Sequence, residues 1–131
     1  MKKEKAAYPI ILSPVKKGYS VYIPDFEKNT QGTDLPDALD MAKDAIEMMG
    51  VFWEDEGRSI PKPSDINGIE TKDREIKSLV MVDFDEYRRR TEKRLVKKTL
   101  TIPMWLNLEA EKEGVNFSAT LQEALKAKLG V

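Results

Sequence analysis

Three side chains near the carboxyl end of the chain have the types and spacing needed to read DNA bases. In the segment from Val96 to Ile102, VKKTLTI, the side chains of Lys97, Thr99 and Thr101 fall on one side of an extended strand, because successive residues point to opposite faces. Amine and hydroxyl groups can hydrogen-bond to base edges in a major groove. The opposite side carries three apolar residues and one lysine: Val96, Lys98, Leu100 and Ile102.

This predicted strand needs a partner. Its backbone donors and acceptors cannot stay unpaired, and an identical strand of a second copy can satisfy them. Two such strands form a ribbon narrow enough for a major groove. The alternative is that VKKTLTI is an edge strand of the main domain and that the residues after it form only a helical hairpin.

Two helices are predicted directly after the strand, in PMWLNLEAEKEG and SATLQEALKAKL. Pro103 suits a first turn, Gly114 ends the first helix and Ser118 is the expected N-cap of the second. A helix amino terminus with free amides suits a phosphate, so Asn116 and Ser118 are expected to contact the DNA backbone. This order of elements predicts a ribbon-helix-helix module. Its expected dimerisation residues are apolar: Leu100, Ile102, Leu106, Leu121 and Leu125.

A second region of the chain is strongly acidic. Between Asp25 and Glu56 there are ten acidic residues and only two lysines. Four of the acids recur at helical spacing and are expected on one exposed face: Asp37, Asp40, Asp44 and Glu47. A magnesium site would require carboxylates that converge from separate elements, which these do not. The remaining alternatives are a solvated surface and a face that binds a basic protein.

Composition excludes several classes of function. There is no cysteine and no histidine, so disulfides, thiolate zinc sites and histidine general bases are absent. We expect no cofactor and no metal. Residues 1–90 carry 15 basic and 18 acidic side chains and residues 91–131 carry 7 and 5, so the only basic excess lies in the predicted DNA-binding part. No apolar run is long enough for a membrane span or a signal peptide, and we expect a cytoplasmic protein.

The rest of the chain predicts a sheet with one helix on it. Residues 8–13 and 19–23 are typical of a hairpin, residues 26–31 of a weaker third strand, and residues 78–84, SLVMVDF, of a strand buried on both faces. A helix is expected from Asp34 to Glu56. The fold class is therefore α+β. A β-β-β-α-β domain is expected over residues 1–84 and the β-α-α module over residues 96–131. Residues 85–95 are expected to form a charged helical linker, with solvated arginines at 88–90.

The chain as a whole resembles the HicB antitoxin family. The resemblance rests on YPIILSPVKKGYSVYIPDF, TQGTDLPDALDMAKDAIEMM, PKPS and KKTLTIPMWLNLEAEKEGVNFSATLQEALKAKL, which together cover nearly all of the sequence. Five residues stand where the family has its G-Y-x-x-x-x-P-D and Q-G-x-x-x-x-x-A patterns: Tyr19, Pro24, Asp25, Gly32 and Ala38. One departure is Lys98, which takes an inward strand position where an apolar residue is expected.

The resemblance implies a partial RNase H-like first domain without nuclease activity. It also implies two partners: a small basic mRNA-cleaving toxin of the HicA type, and the operator DNA of the operon that encodes both proteins. The chain itself would be a homodimer or a higher oligomer. Tyr19 and Asp25 join the four acids of the predicted helix as expected toxin contacts. Two alternative functions stay open for this chain. It could be a stand-alone transcriptional regulator with a ligand-sensing first domain, or a nuclease with a reduced active site.

Overall fold

The computed structural model describes residues 5–131 and divides them into two compact units, one ending at Lys93 and one running from Arg94 to Val131. The start of the first predicted domain, residues 1–4, lies outside the described residues. The first unit contains four strands and two helices: β1 Lys5–Val15, β2 Gly18–Ile23, β3 Lys28–Gly32, α1 Leu35–Asp55, β4 Ile76–Asp83 and α2 Phe84–Thr91. The second contains α3 Met104–Lys112 and α4 Phe117–Leu129. The protein is thus α+β, and the predicted order of the first four strands and the long helix is confirmed.

The four strands form one antiparallel sheet in the order β3-β2-β1-β4. Alternate side chains of β1, β2 and β4 are buried, and small residues of α1 pack among them. The buried core consists of these residues: Tyr8, Ile10, Leu12, Val21, Ile23, Phe26, Ala38, Ala42, Ile46, Val80, Val82 and Phe84. The core therefore fills the space between one face of the sheet and α1.

Helix α1 matches the predicted span from Asp34 to Glu56 because both of its ends are set locally. The Asp34 Oδ1 atom accepts a hydrogen bond from the Asp37 backbone N–H at 2.8 Å. The Asp37 carboxylate in turn accepts one from the Thr33 N–H, also at 2.8 Å, so both acids fix the chain at the start of the helix. Gly57 follows the last turn with φ +79°, a conformation that ends helices readily.

Three small residues allow the hairpin, β3 and α1 to touch. A Cβ atom added to Gly18 would lie 2.1 Å from the Gly32 carbonyl oxygen, and one added to Gly32 would lie 2.3 Å from the Ala38 nitrogen. No side chain fits in either place. Gly18, Gly32 and Ala38 belong to the G-Y and Q-G-x-x-x-x-x-A patterns, so these patterns encode close backbone packing.

Two predicted strands differ from the structure. The third begins at Lys28 instead of Phe26, because Pro24 starts a 3-10 turn that ends at Phe26 and directs its ring into the core, 5.3 Å from the ring of Tyr8. The interpretation of SLVMVDF as buried on both faces is wrong. Strand β4 lies at the sheet edge with helix α1 on one face only, so Val80 and Val82 are buried and Leu79 and Met81 are exposed.

The second unit has two helices and no buried residue. Gly114, at φ +67°, closes α3 together with a hydrogen bond from the Val115 N–H to the Ala110 carbonyl. Gly130 closes α4 in the same way. Residues 94–103 form no strand within the single chain. Since a strand is defined by its hydrogen-bonded neighbour, pairing of this segment with a second copy stays a prediction.

Candidate functional site

The exposed face of α1 carries part of the predicted acidic surface. Asp40 and Asp44 are exposed, and Asp37 is half-buried at the first turn. The expectation that Glu47 shares this face is wrong, since its side chain is completely buried. The acidic face of α1 therefore consists of Asp37, Asp40 and Asp44.

Glu47 instead joins three elements from inside the first unit. Its Oε2 atom accepts hydrogen bonds from the Lys43 Nζ atom at 2.9 Å and from the Asp83 backbone N–H at 3.0 Å. Its Oε1 atom accepts none, although a guanidinium nitrogen of Arg90 lies 3.7 Å away. A buried carboxylate requires such compensation because leaving it unpaired would cost several kcal/mol. The role of Glu47 is thus to fix α1 against the junction of β4 and α2.

Helix α2 is held against α1 by charge. The Arg88 guanidinium donates to the Glu54 carboxylate at 2.8 Å and to the Asp55 carboxylate at 2.9 Å. Phe84 at the start of α2 is buried in the core. Residues 85–91 form most of helix α2, in agreement with the predicted charged helix, and Arg89 and Arg90 are exposed while Arg88 is half-buried. The compact first unit ends after Lys93.

Asp25 is occupied by a contact within the chain. Its carboxylate accepts a hydrogen bond from the Ser64 N–H at 3.0 Å and a second, short one from the Ser64 hydroxyl. Beside it, the Tyr8 hydroxyl donates to the Pro61 carbonyl oxygen at 2.6 Å. Burial, and then the charge of Asp25, raise the pKa of Tyr8 to about 12. The P-D and PKPS motifs thus meet, and what they hold is the loop after α1.

Two open clefts lie along β3 and share Met41. The first, of about 620 Å³, is lined by Tyr19, by Asp37 and by residues of the β1–β2 turn. The second, of about 490 Å³, is lined by Asp44, Met48 and residues of α2. The structure thus brings Tyr19 and Asp37 into one cleft, but it places Asp25 at a different contact and Glu47 in the interior.

The predicted DNA-binding residues are all exposed in the single chain. Lys97, Thr99 and Thr101 lie in the segment without secondary structure, and the predicted dimerisation residues Leu100 and Ile102 alternate with them. The other predicted dimerisation residues lie on the helices, where Leu106 and Leu125 are exposed and Leu121 is half-buried.

The expected cap of α4 is corrected. The N-cap is Asn116, whose side chain accepts a hydrogen bond from the Ala119 N–H at 3.0 Å, while Ser118 lies in the first turn. Asparagine at position 116 takes the cap because its side chain reaches the third amide of the helix. Both residues remain at a helix amino terminus, the place that was predicted to meet phosphate.

Neither a metal cluster nor a membrane span is evident in the described part of the chain. Within residues 5–131, no three acidic side chains are grouped to hold a metal ion. None of the helices in that range is long and apolar enough to cross a bilayer.

The family described as "HicB_like antitoxin of bacterial toxin-antitoxin system" matches residues 8–124. This chain belongs to the family of HicB-like antitoxins. Membership indicates a regulatory protein, and it confirms the family resemblance that the sequence motifs carry. No match is found among curated proteins.

Two solved structures are consistent with this family assignment. A chain of a toxin–antitoxin complex from Streptococcus pneumoniae is 30% identical, with a TM-score of 0.60 over 95% of this chain and 99% of that chain. The antitoxin HicB of Burkholderia pseudomallei is 18% identical, with a TM-score of 0.53 over 95% and 97% of the two chains, and shares the fold.

Sequence reasoning missed three exposed apolar residues of α1: Met41, Met48 and Phe52. The signal was present, because these large side chains fall outside the stripe of Ala38, Ala42 and Ile46 that packs on the sheet. The bond from Ser64 to Asp25 gave no signal, since it joins residues far apart in sequence.

Proposed function

We propose that this HicB-like antitoxin neutralises a HicA-type toxin, a small basic ribonuclease, through its first unit and represses its own operon through its second. The proposal places the protein in the cytoplasm, with a partial RNase H-like first domain and a ribbon-helix-helix second domain. The observation that carries it is the family match over residues 8–124, which spans both units. The likeness to a chain of a toxin–antitoxin complex over 95% of this chain supports a toxin as partner.

Charge supports the assignment of the toxin to the first unit. Asp37, Asp40 and Asp44 follow one another along α1, whose only basic residue is Lys43, and Lys43 pairs with the buried Glu47. A negative face of this kind attracts a basic protein and raises its encounter rate. Tyr19 shares a cleft with Asp37 and extends the proposed contact surface. Asp25 contributes by holding the neighbouring loop.

Exposed apolar surface supports a dimeric second unit. Leu100 is 59% exposed and Leu125 49% exposed in the single chain, and this unit has no core of its own. So small a unit needs a second copy to bury enough apolar area. In the proposed dimer, Leu100, Ile102, Leu106, Leu121 and Leu125 lie in the shared core. Lys97, Thr99 and Thr101 face the bases, and Asn116 and Ser118 approach phosphate.

Both activities can be tested with one preparation. The chain is expressed together with the product of the adjacent gene, purified through a tag on the chain, and applied to a duplex containing the promoter of the operon. The proposal predicts co-purification of a small basic ribonuclease in inactive form and retention of the promoter over a random duplex. Promoter binding without capture of a neighbour would instead indicate a stand-alone regulator.

A further inference from the structure

Helix α1 presents an apolar stripe to solvent. Met41 is 41% exposed, Met48 53% and Phe52 53%. With about 100° of rotation per residue, positions 41, 48 and 52 point within roughly 40° of one another. Large apolar side chains grouped on an exposed helix face mark an interaction site more often than scattered ones do.

Acidic residues run beside this stripe. By the same helical rotation, Asp37 and Asp44 lie next to Met41 on one flank, and Asp40 lies further round. Lys43, the basic residue of α1, pairs with Glu47, whereas the clefts that contain Met41 are also lined by basic residues of other elements: Lys16, Lys17, Lys28 and Arg90. An apolar stripe with carboxylates along one side is complementary to a surface that has an apolar centre and lysines or arginines at its edge.

We propose that Met41, Met48 and Phe52 are the anchor on which the basic toxin docks, while Asp37, Asp40 and Asp44 steer it. This inference rests on the proposed function and adds the residues that hold the complex together. Buried apolar anchors near the centre of an interface carry most of the binding energy and act mainly on the dissociation rate. Charges at the edge act mainly on the association rate, and salt weakens their effect.

A second exposed patch on the same unit provides a matched control. Leu79 is 52% exposed and Met81 65% exposed, and both lie on the face of the sheet opposite α1. They match the anchor residues in size and exposure. Their strand partners are Pro9 and Ala7, neither of which is acidic.

The test uses the full-length chain and the purified product of the adjacent gene. Association and dissociation rates are measured for wild type, for Met48→Ser with Phe52→Ser, for Leu79→Ser with Met81→Ser, and for Asp40→Asn with Asp44→Asn. The anchor variant should dissociate about tenfold faster or more with nearly unchanged association. The control should stay within about twofold of wild type, and the charge variant should associate more slowly at low salt only. Thermal unfolding of each variant checks that the first unit is intact.

Each other outcome has a distinct meaning. If wild type captures the neighbour but the anchor variant dissociates at the wild-type rate, or the control loses as much, the anchor is wrong and the proposed function stands. If wild type captures nothing, the proposed function fails and the anchor with it. If the anchor variant alone, without partner, sediments as a smaller oligomer than wild type, a second copy covers the stripe and the proposal is overturned.

Discussion

The two units of this antitoxin bury their apolar side chains in opposite ways. In the first, a sheet and α1 enclose twelve buried hydrophobic residues, and Glu47 and Arg88 fix the second helix against the first. In the second, two helices leave every apolar residue at least partly exposed. Local signals suffice for helix ends, whereas burial requires a partner surface. The first unit finds that surface within its own chain, and we expect the second to find it in another copy.

The largest expected effect breaks the second unit and spares the first. Leu100→Asp would place an unpaired charge in the proposed shared core, which costs several kcal/mol even after relaxation. We expect the dimer to dissociate, as measured by sedimentation, and operator binding to be lost, while toxin capture persists. Thr99→Asp, on the outward side, is the matched control and should stay dimeric. A dimeric Leu100→Asp protein would disprove the pairing of strands.

A substitution in the first unit should destabilise that unit in turn. Gly32→Ala places a methyl group 2.3 Å from the backbone nitrogen of Ala38, and neither β3 nor α1 can move without disturbing the core. We expect a loss of about 3 kcal/mol in the free energy of unfolding, since overpacking against backbone is rarely relieved. Gly68→Ala, where nothing lies within 4 Å, is the control. Denaturant unfolding measures both, and equal midpoints would show that the three small residues do not set the packing.

The sequence predicts elements whose ends are set by neighbouring residues, and it does not predict burial that depends on distant ones. Helix α1 was predictable because Asp34, Gly57 and the apolar period act within a few residues. The burial of Glu47 was not, because it depends on the Asp83 amide and on Arg90, which are distant in sequence. An apolar run such as SLVMVDF does not reveal how many layers will cover it, so the exposure of Leu79 had no local signal.

The candidate site likewise has some features that follow from local spacing and others that depend on distant contacts. The acids at 37, 40 and 44 recur at helical spacing, and their position on the helix followed from that period. Yet the family motifs around Gly18, Asp25, Gly32 and Ser64 serve close packing and a loop contact. Sequence alone could not separate such residues from partner contacts, because both kinds are polar or small and lie outside the core stripe.

Specificity for the operator should depend on the outward residues of the proposed ribbon. Thr99→Ala and Thr101→Ala should each cost on the order of 1–3 kcal/mol for operator DNA and almost nothing for a random duplex. Ser118→Ala should weaken both duplexes alike, since a phosphate contact carries no sequence information. Affinities are measured at one fixed salt concentration. Equal losses on both duplexes for the threonine variants would remove this segment from the reading of bases.

Glu47 and Asp44 test whether the acids of α1 divide into a buried structural residue and an exposed toxin contact. Glu47→Ala leaves the Asp83 amide without its acceptor and should lower stability by about 2 kcal/mol. Asp44→Ala, three residues earlier and exposed, should change stability by less than about 0.5 kcal/mol but slow toxin association at low salt. Chemical unfolding and association kinetics separate the two effects. A destabilised Asp44→Ala protein, or a stable Glu47→Ala protein, would reverse the roles assigned to these acids.

The smallest effect concerns Tyr8 and appears only in alkaline solution. Tyr8→Phe keeps the ring packing on Phe26 but loses the hydrogen bond to the Pro61 carbonyl, a cost of about 1 kcal/mol at neutral pH. The pKa of Tyr8 rises from 10.0 to about 12 in the folded chain, so folding favours the protonated hydroxyl. Its contribution is therefore fully present below pH 10 and is lost as the pH rises toward 12. The stability difference between wild type and Tyr8→Phe, measured by denaturant unfolding, should shrink over that range. A constant difference for Tyr8→Phe from pH 9 to pH 12 would show that its hydroxyl ionises as freely in the folded chain as in the unfolded one.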